Sequence, residues 1–332
     1  MAVTIKDVAR YAGVSAMTIT RSLKNPELVK QDTLERVQKA IKQLGYIPNY
    51  TASALRSAKS HTVGITVFDI ENPFISKLLM QLENKLKDNN YTLLVSFANQ
   101  VGVDDFDIYT KLKAFNVDLL IFVPMEQSDY IQRLDKKEAS KCLQLFRNVY
   151  DNIDSFMIDD TYGAYLATKY LLENGHKDIL LIDYEQRIPL NRDLGYLQAY
   201  KDFGMEADKR FILKLNEYDD TDYVANIKNA VSELHPTAIF AVTQKLSANC
   251  ITAMGELDLK IYDDLSMVSY DDTTLAQYLG ITTVTHPFDE IIEDISGWVI
   301  EKIHDVSEEN IKHTKITPYL KIRNSVKNLN EN

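Results

Sequence analysis

Thr4-Ile5-Lys6-Asp7-Val8-Ala9-Arg10, followed by Gly13-Val14-Ser15 and by Thr18-Ile19-Thr20-Arg21-Ser22-Leu23, reads as two short helices joined by a tight turn. Thr4 is a capping residue type, and Asp7 places a carboxylate beside the same first-turn amides, so a helix is expected to start at Ile5. Ile5, Val8, Ala9 and Ala12 fall at helical spacing, Gly13 supplies the backbone freedom of the turn, and Ser15 is positioned to cap the second helix. On that helix Ile19 and Leu23 are expected to face a small core, which leaves Ser15, Ala16, Met17, Thr20 and Arg21 outward. Such a face suits the major groove of duplex DNA, where Arg donates two bonds to a guanine edge and small apolar groups meet a thymine methyl. A third helix follows, with Leu34, Val37, Ile41 and Leu44 along one side and Gly45 as its stop.

Charge points the same way. Residues 1–60 hold ten Lys or Arg against four Asp or Glu, a charge of +6 in a chain of −11, which leaves −17 to residues 61–332. A polyanion is attracted to one end and repelled by the rest, as expected of a DNA-reading head on an acidic body.

The segment from Thr4 to Asn25, with Ala40-Ile41-Lys42-Gln43-Leu44-Gly45-Tyr46-Ile47-Pro48-Asn49 after it, resembles the head of the LacI/GalR family of bacterial transcription regulators. The resemblance implies that Ala16, Met17 and Arg21 read bases, and that Thr18 and Thr20 contact phosphate or core; Ser15 and Asn25 complete the implied DNA-binding set. One departure is Lys30, where the family has a small capping residue; Gln31 or Asp32 is expected to take over that cap. The next stretch, 49–60, is short on large apolar residues, and composition alone reads it as a plain linker. The resemblance implies instead a hinge helix that orders on the operator, with Leu55 as the apolar wedge in the minor groove and Arg56 and Lys59 beside phosphates. A wedge of this kind unstacks a base step at a cost of a few kcal/mol, offset by the contacts that the bent duplex allows.

From His61 onward the texture changes. Apolar runs at 63–68, 91–95, 118–123, 142–146, 179–182, 238–242 and 265–270 read as strands. Helical patterns near 74–89, 104–115, 128–139, 160–174, 191–203, 221–234 and 245–257 alternate with them. This rhythm implies parallel sheets covered on both faces, and the length implies two lobes with a ligand cleft at the carboxyl ends of the strands. The resemblance continues through Asn72-Pro73-Phe74, Asp159-Asp160-Thr161-Tyr162-Gly163, Arg192-Asp193-Leu194-Gly195-Tyr196, Ser269-Tyr270-Asp271-Asp272 and Thr282-Thr283-Val284-Thr285-His286-Pro287. The fold class expected is therefore an α/β body of two doubly wound, periplasmic-binding-protein-like lobes, preceded by a small all-α helix-turn-helix head and a hinge helix. Expected limits are 1–47 for the head, 48–60 for the hinge, 61–158 plus about 287–320 for the first lobe and 159–286 for the second.

For the cleft, the resemblance to sugar-responsive members implies that Arg192 and Asp271 bond ligand hydroxyls, with Phe74 as an aromatic wall and Tyr218 as a stacking aromatic. The plain structural alternatives are that Arg192 and Asp271 pair with each other across the lobe and that Phe74 staples a core. Thr243-Gln244 and Phe146-Arg147 stand where many members have Asn-Asp and Asp-Arg, so the polar grip is altered and a common hexose is not required. Phe74 is followed by Ile75 where purine-sensing members have a second aromatic, which disfavours a purine. Arg147 facing the cleft would suit an anionic ligand such as a sugar phosphate.

Other chemistry is not visible. Cys142 and Cys250 stand alone, the His residues show no metal spacing, and neither a phosphate loop nor a nucleophile elbow occurs. The repeated Asp-Asp pairs lie at expected helix starts and read as caps. No enzyme activity, cofactor or metal is expected. Without a signal peptide or membrane-length apolar run, a cytoplasmic location is expected. The partners expected are double-stranded operator DNA, a small effector, most naturally a carbohydrate, and a second copy of the chain, since one head reads only a few base pairs. The alternatives are regulation by a partner protein and, against the basic head, a sugar-binding transport protein. The polar end after Tyr319-Leu320 has no leucine heptad and gives no basis for a tetramer.

Overall fold

The helical head forms because each short helix is punctuated by its own sequence. In α1 (Ile5–Ala12) one Asp7 carboxylate oxygen accepts from both the Thr4 amide, at 3.0 Å, and the Thr4 hydroxyl, at 2.6 Å. Gly13 ends the helix at φ 65°, the left-handed conformation that a Cβ disfavours. Ser15 Oγ accepts from the Thr18 amide at 3.1 Å and starts α2 (Ala16–Lys24). Helix α3 (Gln31–Leu44) closes the head around Val8, Ala9, Ala12, Ile19, Val37 and Ala40. Two expectations are corrected. Leu23 is 40 % exposed, because the inward stripe of α2 runs through Ser22, whose hydroxyl donates to the Thr18 carbonyl at 2.9 Å. Neither Gln31 nor Asp32 caps α3: Lys30 holds the N-cap position without a side-chain bond, and Gln31 and Asp32 turn along the helix to Glu35 and Arg36.

The computed structural model describes residues 3–47, 59–70, 72–97, 103–185, 188–216, 221–304 and 310–330, apart from the side chains of Lys24, Pro73 and Phe74. Residues Met1–Ser60 and His61–Asn332 form separate compact units.

The second unit contains two six-stranded sheets. The first is built from β1 (Thr62–Val67), α4 (Pro73–Lys87), β2 (Thr92–Phe97), α5 (Asp105–Ala114), β3 (Leu119–Phe122), the short α6 (Asp129–Gln132) and α7 (Lys136–Ala139), β4 (Cys142–Leu145) and β5 (Asp154–Ile158). The chain then builds the second from α8 (Asp160–Glu173), β6 (Ile179–Glu185), α9 (Arg192–Asp202), β7 (Ile212–Asn216), α10 (Tyr223–Leu234), β8 (Ala238–Ala241), α11 (Gln244–Glu256), β9 (Ser266–Tyr270), α12 (Thr274–Tyr278) and β10 (Thr282–Thr285). It returns to the first lobe for α13 (Phe288–His304) and β11 (His313–Ile316), and ends with β12 (Tyr319–Lys321) in the second. The strand orders are β11-β5-β4-β3-β1-β2 and β12-β10-β9-β8-β6-β7, parallel throughout except where β12 runs against β10.

In each sheet the first strand in sequence pairs on both sides, β1 with β2 and β3, and β6 with β7 and β8. Strand order reverses at those positions, which opens a crevice at the carboxyl ends of the strands. Alternation along β3 divides the first lobe's core: Leu119 and Ile121 pack with α4 and α13, Leu120 and Phe122 with α5. The second lobe packs as one contiguous cluster from Ala164 to Val326. The predicted helix at 128–139 is instead two four-residue turns, α6 and α7. Tyr319 and Leu320, within the 287–320 stretch expected with the first lobe, belong to β12 and pair with β10 of the second. Strands β5, β7, β10, β11 and β12 went unread: four of them mix polar or charged residues with few aliphatics, and in β7 Lys214 breaks a run that is only five residues long.

Candidate functional site

The outer face of α2 carries most of the residues expected to meet DNA. Met17 is 71 % exposed, and Thr20, Arg21 and Asn25 are exposed with it. Thr20 donates its hydroxyl to the Ala16 carbonyl at 3.1 Å, Asn25 closes the helix, and Ser15 and Thr18 hold each other through their hydroxyls at 2.9 Å. Among the described residues Arg21 enters no ion pair. Ala16 departs from the expected outward set, since it packs partly against the head core and presents only part of its surface. The hinge residues Leu55 and Arg56 lie outside the described residues.

Between the lobes of the second unit lies a cleft of about 710 Å³. Its walls include five of the seven residues expected to bind an effector: Arg147, Arg192, Thr243, Gln244 and Asp271. The side chain of Phe74 and the whole of Tyr218 lie outside the described residues. Apolar contributions come from Phe68, Ile75, Phe97, Val123, Phe146 and Tyr184, and polar ones from Asp69, Asn72, Asp160, Lys245, Asn249 and His286.

Arg192, at the start of α9, is held at four points. Its Nε and Nη2 donate to one Asp160 oxygen at 2.8 and 2.7 Å, its Nη1 donates to the Val242 carbonyl, and its guanidinium lies 3.7 Å from the centre of the Tyr270 ring. The alternative pairing of Arg192 with Asp271 is thereby corrected: Asp160 takes the arginine. Burial alone would lower the Arg192 pKa, but Asp160 overrides it and holds the group charged. This geometry depends on Gly195, one turn along α9, because a methyl group there would collide with the Thr161 carbonyl and stand 2.8 Å from the Tyr165 amide.

Asp271 follows β9 with φ 70°, an uncommon conformation for a residue with a Cβ. Among the described residues its carboxylate accepts no hydrogen bond; burial raises its pKa and the nearby Arg192 offsets this only in part. A partly buried carboxylate that lines a cleft in this way presents an acceptor to it. His286, at the crossover after β10, is buried; desolvation pulls its pKa down to about 4, while Asp160 opposes and Arg192 reinforces the shift.

Arg147 donates to the Pro124 carbonyl at 2.6 Å and lies 3.9 Å from Met125 Sδ. Beneath it, Asp105 accepts from the Met125 amide at 2.8 Å and from the Tyr150 hydroxyl at 2.6 Å, and Gln144 accepts from the Val149 and Tyr150 amides. The loop that supports Arg147 is thus fixed from the core of the first lobe. Thr243 caps α11 through its hydroxyl, which accepts from the Leu246 amide at 3.2 Å, so its polar atom serves the helix and Gln244 offers the cleft the longer reach. The Asp-Asp pairs divide: Asp104 and Asp159 are caps, whereas Asp272 binds Lys321 and Arg323. Asp160 and His286 escaped the sequence reading, although both stand where strands end and the chain changes lobe.

Family models cover nearly the whole chain: "Bacterial regulatory proteins, lacI family" matches residues 4–49, and "Periplasmic binding proteins and sugar binding domain of LacI family" matches residues 60–325. The HTH-type transcriptional repressor PurR of Vibrio campbellii is 28 % identical over 333 residues, covering 98 % of this chain and 99 % of that one. Among solved structures, a Lac repressor dimer bound to operator and the anti-inducer ONPF matches with TM-score 0.76 and 21 % identity over 98 % of this chain and 100 % of that one. A CelR–cellobiose complex matches with TM-score 0.68 and 21 % identity over 97 % and 99 %.

Proposed function

The chain belongs to the lacI family of bacterial regulatory proteins, and from that premise we propose that it is a sequence-specific DNA-binding repressor whose operator affinity is set by a small molecule in the cleft. The observation that carries this reading is one chain holding both an exposed, basic helix-turn-helix face and a separate two-lobed unit with a polar cleft. The DNA-contacting set is Ser15, Met17, Thr18, Thr20, Arg21, Asn25 and the exposed part of Ala16, with Leu55 as wedge and Arg56 beside phosphate. The domain limits remain those read from sequence, with the tail beyond Pro318 assigned to the second lobe. A homodimer supplies two heads for a two-fold operator, and the regulator works in the cytoplasm; among the described residues no helix is long and apolar enough to cross a membrane.

The effector is a hydroxyl-rich molecule of carbohydrate type. Asp271 offers an acceptor, the unused donors of Arg192 reach the same wall, and the aromatic and aliphatic side chains opposite suit the apolar face of a sugar ring. Ile75 is buried in the first lobe's core, so the adjacent second aromatic of purine-sensing members has no counterpart here. Ligand that contacts both lobes favours one angle between them, changes hinge spacing and so changes operator affinity. That likeness to a CelR–cellobiose complex is in keeping with a carbohydrate.

The reading is tested by selecting duplexes from a random pool with the full-length chain. A pseudo-palindromic site is expected, with Arg21→Ala relaxing base preference in each half-site and Leu55→Ala weakening specific but not non-specific binding. Recovery of no common sequence contradicts the repressor reading.

A further inference from the structure

Residues 159 and 160 are neighbours in the chain and are anchored to different lobes. On the first-lobe side, the Asp159 amide donates to the Ile316 carbonyl at 2.9 Å, and one Asp159 carboxylate oxygen binds Lys315 Nζ at 2.6 Å. Both partners belong to β11. On the second-lobe side, the other Asp159 oxygen accepts from the Tyr162 amide at 3.1 Å, and Asp160 takes two bonds from Arg192 of α9. The Asp159 backbone, at φ −75° and ψ 73°, has the inverse γ-turn geometry, neither helix nor strand. Chain direction therefore changes across one peptide link whose flanking carboxylates are each held by a cation, one from each lobe.

The surroundings make this link mechanically informative. Just ahead of it, the Asp159 N–H···O bond to Ile316 joins two of the three crossovers, the one after β5 and the one after β11. The third, after β10, contributes His286, whose ring feels the charges of both Asp160 and Arg192. Arg192 and Asp160 line the cleft as well, so the cleft floor and the pivot share side chains. Lys315 is half exposed and bonded only through a flexible stem, so it can release without opening a core cavity.

We propose that Asp159, Asp160 and Lys315 form a latch that fixes the angle between the lobes, with Arg192 as the point where cleft occupancy acts on it. They are positioning residues: Asp159 and Lys315 hold the first-lobe end of the pivot, and Asp160 holds the second. The last clause of the proposal rests on the effector reading above, whereas the latch itself does not. Breaking the Lys315 contact frees the Asp159 dihedrals and lets the lobes sample wider angles. High salt acts in the same direction, because an exposed ion pair is screened.

The test is a ligand-free distance measurement between spin labels on exposed positions of the two lobes, Gln127→Cys and Ala225→Cys, in full-length dimers with one labelled subunit. The native cysteines are buried, so they stay unlabelled. Lys315→Met is expected to broaden the distance distribution and to raise the open population about two- to fivefold, the factor that one exposed ion pair supplies. The parent protein in 1 M salt is expected to move the same way, and Lys85→Met, which removes a comparably exposed pair with Glu293 within the first lobe, to leave the distribution unchanged. An unaltered distribution in Lys315→Met, with or without a fall in Tm, overturns the latch and leaves Lys315 as ordinary surface. Because no ligand is used, that failure does not touch the cleft's proposed role, which stands or falls on binding.

Discussion

Across one cleft the two lobes present different chemistry. The first lobe lines it mainly with Phe68, Ile75, Phe97, Val123 and Phe146, with Asp69 and Asn72 as polar exceptions, and its arginine, Arg147, is turned onto the Pro124 carbonyl. The second lines it with Asp160 and Arg192, two buried charges that pair, and with Asp271, partly buried and without a hydrogen-bond donor among the described residues. An apolar wall gains from any ligand that removes it from water, so it contributes affinity with little discrimination. A wall of buried charge gains only from a ligand that replaces lost hydration with matched donors, so it contributes specificity. With an effector of the proposed kind, discrimination is expected mainly from the second lobe and affinity mainly from the first.

The contrast breaks most visibly at Arg192. Arg192→Met leaves Asp160 buried without its cation and is expected to cost about 3–5 kcal/mol in urea unfolding. The double replacement Arg192→Met with Asp160→Leu recovers most of that loss, because an apolar pair replaces an ion pair. A double variant as unstable as the single one would show that Arg192 acts through some other contact. Gly195→Ala comes next: the added methyl forces α9 away from α8 and is expected to cost about 1–3 kcal/mol.

Asp271→Asn should move stability the other way. Burial raises the folded-state pKa above the ordinary 3.8, so the carboxylate is a stability cost that grows as pH rises through the folded value and is absent below 3.8. The neutral amide is expected to gain about 0.5–2 kcal/mol at pH 7. That advantage shrinks as pH falls toward the carboxylate range. An equal gain at all pH values would assign it to backbone or packing instead. His286 gives the opposite slope. Its pKa is lowered from 6.5 to about 4, so the neutral ring keeps full stability above 6.5 and loses it as pH falls toward 4. Comparing the Tm of the parent with that of His286→Gln between pH 7 and 4 should show the difference changing only in that window.

The sequence disclosed the head and the cleft unequally, for a physical reason. A helix-turn-helix is local: Thr4, Asp7, Gly13 and Ser15 act on amides within four positions, so spacing alone reveals them. The alternation of α and β likewise followed from runs of Ile, Leu and Val that need two buried faces. Arg192 and Asp271 were singled out through the resemblance, but the partner of Arg192 was not, because the Arg192–Asp160 bond spans 32 positions and depends on how two helix starts meet. Asp160 looked like a spare capping residue beside Asp159, and His286 like part of a crossover motif. Leu23 failed for a smaller reason: one helical stripe admits two rotations, and Ser22 can take the inward place because its hydroxyl is satisfied by the Thr18 carbonyl.

The most direct measurement is a thermal-shift comparison of the full-length parent and Asp271→Ala against neutral sugars, sugar phosphates and nucleobases. A carbohydrate that occupies the cleft at about one hundred times its Kd adds about 2.7 kcal/mol, a rise of several degrees. The account predicts such a rise for the parent with a neutral, hydroxyl-rich compound and its loss in Asp271→Ala. A rise that persists undiminished in the variant, or one produced by nucleobases alone, would contradict it.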